Sequence, residues 1–275
     1  MDSTSALEDL EIDLLLEAVF KHLGFDFRDG DRVPLKQKLA QLMQAESVAT
    51  VSALQDRVLH DQRASLALLR ALTHPVATLF ADPPYLRVVR ERVLGHLQSY
   101  PEPKIWMAEC GSAQAAWTMA ILLEESQLCD KTLIYATSSH PDVARMGMQT
   151  TVPATYIKKC EANYRDSGGS ASLAHYFDTH ADQMTLHPRL RKNMVWGQHS
   201  LVTDASFNEF QLIVCRNVRA NFGPLLRNRA LELFHDSLSR FGMLSIDGLS
   251  TAEIERLAHS YQPLSAAQGL FRRIG

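Results

Sequence analysis

No apolar run in this chain approaches the roughly 20 residues that a membrane-spanning helix needs, so membrane insertion is excluded. The opening stretch "MDSTSALEDLEID" is acidic and lacks the basic, apolar layout of a signal peptide. A formal net charge of −3 leaves no electrostatic footprint for nucleic acid or for an anionic membrane surface. Cysteine is sparse: Cys110, Cys129, Cys160 and Cys215 stand far apart and form no C-x-x-C, which points to reduced thiols in a cytoplasmic protein. Histidine is plentiful, but no H-E-x-x-H or comparable spacing occurs, and His175 and His180, five apart, do not make a ligand pair. No metal is expected. Glycine is scarce in the one turn where several would be expected, and that shortage limits how closely a ligand can approach the backbone there.

What is present is a chain of 275 residues, 46% hydrophobic, long enough for one large domain or two small ones. Before residue 104 the patterning is helical. "SALEDLEIDLLLEAVFKHLG" offers Ser5 as an N-cap, places Leu7, Leu10, Leu14 and Leu15 on one face, and has Gly24 just past the end. "PLKQKLAQLMQ" puts Pro34 at a first helical position and Leu35, Leu39 and Met43 on one stripe. Pro83 and Pro84 open another helix in "PPYLRVVRERVLGHLQSY". From residue 105 the apolar runs "KIWMAE", "TLIYATS", "MVWGQHSLV", "FQLIVCRN" and "GMLSIDG" are short and rich in β-formers. Helical patterns lie between several of them. That alternation predicts an α/β fold, a mostly parallel sheet covered by helices. "SAAQGLFRRIG" reads as a hairpin strand on the sheet edge. The expected organisation is a helical domain over 1–98, a linker over 99–104 ("SYPEPK") and a Rossmann-like domain over 105–275, with an irregular insertion near 146–192 that carries a Gly168-Gly169 break.

The stretch "IWMAECGSAQAAWTMAILLEE" (105–125) has the strand–turn–helix outline that points backbone N–H groups at a ligand from a helix N-terminus. Its turn holds Gly111, Ser112 and Ala113, with Glu109 at the strand tip. A glutamate there must reach solvent, pair with a cation, or serve another role, because packing does not account for it. Trp117 falls on the inner face of the helix pattern as a core residue, and Cys215 reads as a small core residue.

With those motifs in order, the chain resembles the chemotaxis-receptor (CheR-type) methyltransferases, which transfer a methyl group from S-adenosylmethionine to receptor glutamates. The likeness spans nearly the whole chain. "FDFRDGDRVPLKQKL" is similar to the family's aromatic-Asp-Phe-Arg entry segment, "ATLFADPPYLRVV" to its Phe-Phe-Arg-Asp-Pro linker, "IYATSSHPDVARMG" to its Ala-Thr-Asp second strand, and "VCRNV" matches outright. The resemblance implies a seven-stranded class I methyltransferase domain behind an all-α domain. It also implies that the cofactor-contacting positions are Ala81, Glu109, Gly111, Ser112, Ala113, Ser138, Ser200, Leu201, Arg216, Asn217 and Asn221.

Many of these depart from the family pattern. Ala81 stands where the family has the arginine that meets the cofactor's carboxylate, Glu109 where it has a glycine, and Ser138 where it has the acid that accepts ribose hydroxyls. Ser200 replaces an asparagine at the adenine edge, and Asn221 an aromatic near the transferred methyl; Arg216, Asn217 and Phe222 match. Each lost charge-assisted bond is worth about 1.5–3 kcal/mol, so several together lower affinity by roughly three decades at about 1.4 kcal/mol per decade. Arg216 and Asn217 are either remnants of a site or ties between loops. Arg28, Arg32 and Lys36 form either a basic docking patch for an acidic partner or an ordinary solvated face. The insertion shows no clear alternating strands, which argues against the receptor-tail clamp that some family members carry.

The resemblance leads to two functions. One is a protein that has lost S-adenosylmethionine and works by contact with a signalling protein or chemoreceptor. The other is an active protein-glutamate O-methyltransferase with an altered cofactor site, in which the protein's work is mainly alignment.

Overall fold

A computed structural model describes residues 3–28, 32–73, 78–110, 112–139, 147, 150–216, 222 and 224–274. The chain divides into two compact units: Met1–Pro75 with Leu201–Asp204 and Val218–Glu232, and Val76–Ser200 with Ala205–Asn217 and Leu233–Gly275.

The first unit contains α1 (Ser3–Leu23), α2 (Arg32–Ala45), α3 (Val51–His60) and α4 (Gln62–Thr73). Its core takes Ile12, Leu15, Leu16 and Val19 from α1, Leu35, Leu39 and Leu42 from α2, and Leu54 and Val58 from α3. Leu15 is therefore buried as expected, but Leu7, Leu10 and Leu14 are exposed. The run "IDLLLEAVF" holds two apolar stripes a helix can present, and the neighbouring helices cover the one centred on Ile12 and Leu16. Helix α1 begins at Ser3, so Ser5 lies inside it, and Gly24, at φ +79°, closes it with its N–H on the Phe20 carbonyl. Pro34 is the third residue of α2, and Leu42, not Met43, completes the buried stripe. Thr50 caps α3 by accepting from the Ala53 N–H.

The second unit opens with one helical rod: α5 (Pro83–Val88), a π-helical turn (Val89–Leu94) and α6 (Gly95–Gln98). Asp82 caps it and Pro83 and Pro84 occupy its first positions, as the sequence predicts. Leu86, Val89, Val93, Leu94 and Leu97 lie in the same hydrophobic core as Ile105 and Leu122 of the sheet region. The rod thus belongs to the sheet unit, and the units part near residue 75 rather than at the Pro-rich linker over 99–104. Burial, not loop composition, sets that boundary.

The sheet strands are β1 (Lys104–Met107), β2 (Leu133–Ser138), β6 (Met194–Gln198), β7 (Phe210–Cys215), β8 (Leu238–Ile246), β9 (Tyr261–Ser265) and β10 (Leu270–Arg273). They run in the order β6-β2-β1-β7-β8-β10-β9. The first five are mutually parallel, and β10 is antiparallel to both β8 and β9. Helix α7 (Ala113–Glu125) links β1 to β2, and α9 (Pro224–Ser237) precedes β8. Ile105 and Met107 face the main core, and Trp106 faces an aromatic cluster of Phe207, Phe210 and Phe234 on the other side. The C-terminal hairpin is present, but its second strand, β10, pairs on both sides and β9 takes the edge.

The region expected to be irregular is built. Val152–Pro153 (β3), Phe177–His180 (β4) and Gln183–Leu186 (β5) form a three-stranded antiparallel sheet in the order β3-β5-β4, and α8 (Ala154–Asp166) leads on from β3. Helix α8 buries Ile157, Cys160 and Tyr164 on one face. It ends at the predicted glycine pair, with Gly168 at φ +94° and a Cβ on Gly169 meeting the Tyr164 ring at 2.3 Å. The strands escaped detection because each spans two to four residues, too few for alternation to register. The ground for excluding a tail-clamping sheet therefore does not hold.

Among the described residues, no helix is long and apolar enough to cross a membrane, and no group of three His, Cys, Asp or Glu side chains could hold a metal ion.

Candidate cofactor site at the strand tips

Strands β1 and β7 are neighbours whose chain connections run to opposite sides of the sheet, so the carboxyl ends of β1, β2 and β7 border the topological switch point. Open α/β sheets bind ligands in such crevices. The chain leaves β1 by changing partners. The Ala108 N–H still donates to Val214 O of β7 (2.9 Å), whereas the Cys110 N–H donates to Thr137 O of β2 (2.7 Å). Glu109 makes the turn between them at φ +49°, in the left-handed region that favours glycine. For a residue with a Cβ that conformation costs roughly 1–2 kcal/mol.

Among the described residues the Glu109 side chain meets no cation, and it is only partly exposed to solvent. Its Oε2 lies 3.4 Å from Ser138 Oγ, 3.3 Å from Ser139 N and 3.3 Å from Ser139 Oγ, so the tip of β2 donates to it three times through long bonds. Burial pushes its pKa up to about 7, and the Ser139 backbone, the Ser139 hydroxyl and the Ser138 hydroxyl only partly offset that rise. The chain has thus exchanged positions: the acid expected at residue 138 is absent, and a carboxylate from the neighbouring strand lies against that residue.

Arg216, at the end of β7, is committed on three sides. Its Nη2 donates to Asp82 Oδ2 (3.0 Å), its Nη1 to the Gln268 carbonyl (2.7 Å), and its guanidinium lies 3.8 Å from the centroid of the Tyr85 ring. Asp82 also accepts from the Tyr85 N–H as the cap of α5, and Tyr85 accepts a bond from Ser245 Oγ (2.8 Å). Arg216 ties the end of β7 to the cap of α5 and to Gln268. Asp82, Tyr85, Gln268 and Ser139 were not singled out from sequence. An Asp before two prolines signals a cap, but nothing local marks Gln268. The linker ahead of Asp82 is held by Leu79 N–H on Tyr156 Oη (3.0 Å) and Phe80 N–H on Thr118 Oγ1 (3.2 Å), with Phe80 at φ +55°.

Ala81 is exposed and brings no charge to this segment. Ser112 precedes α7 without a side-chain capping bond, and its Oγ is buried with no partner among the described residues. Ala113 is buried at the first turn of α7, Ser200 is half-buried after β6, and buried Leu201 falls in the helical unit. Gly111, Asn217 and Asn221 lie outside the described residues. Trp117 is fully buried in the core and meets the Phe177 ring at 5.7 Å. Cys215 is fully buried too, and burial pushes the Cys110 thiol up to about 12, which makes it inert.

Within the helical unit, Arg28, Arg32 and Lys36 are each paired with acids. Arg28 pairs with Glu17 (2.9 Å) and Asp26 (2.8 Å), Arg32 with Asp13, and Lys36 with Asp9 (2.6 Å) and Glu8 (3.4 Å). The acidic face of α1 neutralises them, a pairing that spacing within α2 could not reveal.

Compared with known proteins, residues 76–262 match the family described as CheR methyltransferase, SAM binding domain, and residues 10–73 match CheR methyltransferase, all-alpha domain. A Pseudomonas putida protein named putative methyltransferase Cher3 is 36% identical over 96% of this chain and 97% of its own length. A chemotaxis protein methyltransferase of Listeria innocua is 25% identical, covering 88% of this chain and 91% of that one. Among solved structures, a putative class I S-adenosylmethionine-dependent methyltransferase of Listeria monocytogenes covers 97% of this chain and 86% of its own, at 9% identity and a TM-score of 0.40.

Proposed function

This chain belongs to the CheR methyltransferase family, and from that premise we propose that it is a signalling protein that has given up tight S-adenosylmethionine binding and acts by contact with a chemoreceptor or a related signalling protein. The observation that carries this reading is the commitment of Arg216. The family's cofactor ends in an amino acid whose carboxylate needs a cation. Ala81 supplies none, and Arg216 is already engaged by Asp82, the Gln268 carbonyl and the Tyr85 ring. A missing charge-assisted partner costs about 1.5–3 kcal/mol, or about one to two decades of affinity. Ser200, in place of an amide at the adenine edge, adds to that loss. Among the described residues, Ala81 and Arg216 thus do not serve the amino-acid end of the cofactor.

Calorimetric titration of the full chain with S-adenosylhomocysteine tests this. No saturable heat is expected in the low-micromolar range, and a one-site isotherm there would overturn the reading. It would favour the second function, an active protein-glutamate O-methyltransferase acting on chemoreceptors. One observation supports that second function: an acid still stands at the tip of β2, supplied by Glu109.

A further inference from the structure

Parallel strands are normally covered by helices on both faces of their sheet. Here one face of β2 and β6 is left open. Ile134 and Ala136 of β2 are buried in the main core, and Met194 and Trp196 of β6 pack against it. On the opposite face Phe234 of α9 meets Trp106 of β1, with ring centroids 5.4 Å apart, but residues 199–209, which join β6 to β7, form no helix. Leu133 and Tyr135 on that face are only half-buried, and Val195, paired with Tyr135 in register, is 43% exposed. Gly197, two residues further along β6, lies on the same face, and a Cβ there would meet no described atom within 4 Å. Phe207, 42% exposed, borders the patch against the Tyr135 ring. The segment that follows β2 lies on the other side: a Cβ on Gly147 would strike the core-facing Trp196 ring at 2.0 Å.

The same chain carries a helix with an apolar stripe to spare. Helix α1 buries Ile12, Leu16 and Val19, while Leu7, Leu10 and Leu14, spaced i, i+3, i+7 on the outward side, are each more than half exposed. The charges beside the two surfaces are opposite in sign. Glu11, next to the leucine stripe, accepts from Ser52 Oγ (2.5 Å) and N (3.4 Å), and Lys104, on the same sheet face as Trp106, donates to Asn208 Oδ1 (2.9 Å). Among the described residues neither makes an ion pair. An amphipathic helix with an acid at its rim is the cover that an open sheet face with a lysine at its rim fits.

We propose that the chain pairs with a second copy of itself, α1 of one copy lying with Leu7, Leu10 and Leu14 on the open face formed by Tyr135, Val195 and Gly197 of the other. Exposed apolar patches of this kind mark association sites, and reciprocal exchange closes the pair about a two-fold axis, the commonest symmetry of soluble oligomers. The inference goes beyond the proposed function and stands whether or not the cofactor binds.

Sedimentation of the full chain from about 1 to 100 μM tests this. The mass is expected to rise with concentration from the 30.8 kDa of one chain to twice that value and to stop there. Leu10→Glu on the helix and Val195→Glu on the sheet each set a charge against an apolar surface, and each should weaken association at least about tenfold. An equimolar mixture of the two variants should associate more strongly than either alone, because the intact helix of one still fits the intact face of the other. Thermal melts establish that the variants fold; Leu14→Gln and Gly197→Glu, at positions equally open, replace any that does not. A wild type that stays monomeric at about 100 μM overturns the proposal. So does a Val195→Glu chain that dimerises normally, the result expected if α1 pairs with α1. A Leu10→Glu chain that dimerises normally points to sheet-on-sheet contact and overturns it equally. A mixture no more associated than its parts rejects the helix-on-sheet contact, and a mass that climbs past two chains rejects the closed pair.

Discussion

Replacing Glu109 by glutamine keeps the shape of the side chain and removes a charge that the fold does not welcome. Burial moves this carboxyl from an ordinary value of 4.5 to about 7. A shift of that size corresponds to at most about 3 kcal/mol, at about 1.4 kcal/mol per unit. Its sign comes from proton counting. Between those two values the unfolded chain has released the proton and the folded chain still holds it. Stability contributed by the neutral form is therefore full below 4.5 and drains away as pH rises toward about 7, above which the penalty is constant. Glutamine never ionises. The variant and the wild type should be equally stable near pH 4.5, and above about pH 7 the variant should be more stable by up to about 3 kcal/mol. His96 and His235, whose pKa values burial lowers, tilt both curves the other way, and they cancel in the difference. Trp106, Trp117 and Trp196 all belong to the sheet unit, so urea unfolding followed by tryptophan fluorescence reports on the right part of the chain. Parallel curves would show that the carboxyl titrates normally. A wild type more stable than the variant above pH 7 would show that the folded protein stabilises the ionised group, and either result refutes the reasoning.

Ala81→Arg is expected to improve S-adenosylhomocysteine binding by about tenfold or more, since position 81 is exposed and a guanidinium there can meet the missing carboxylate. Ser138→Asp would set a second carboxylate against Glu109 and lower stability above pH 7 by about 3 kcal/mol or more, and Glu109→Gly in the same chain should restore it. Reversing Arg28, Arg32 and Lys36 to glutamate would place acids against Glu17, Asp13, Asp9 and Glu8, so the first effect expected is a lower urea midpoint for the helical unit by circular dichroism. Loss of partner capture with an unchanged midpoint would instead make these residues a docking surface.

The central parallel strands β1 and β7 were legible because each carries a near-continuous apolar run, the signature of a strand buried on both faces. The inserted sheet was not, since β3, β4 and β5 are short and draw their stability from pairing with one another. The same holds within α1: periodicity marked an apolar helix, but which of its two leucine stripes is buried depended on where α2 and α3 lie against it.

At the strand tips the division is sharper. By itself the sequence determined that a strand, a tight turn and a helix occur at residues 104–125, that the turn holds a single glycine, Gly111, and that a glutamate, Glu109, stands at the strand tip. These are local properties of composition and spacing. Where the displaced charges end up was decided only by tertiary structure. Glu109 meets Ser138 and Ser139 because β1 and β2 are parallel neighbours, and Arg216 meets Asp82 and Gln268 across separations of 134 and 52 residues. An ionised side chain takes whichever partner the fold brings within a few ångströms, and no pattern along the chain encodes that distance.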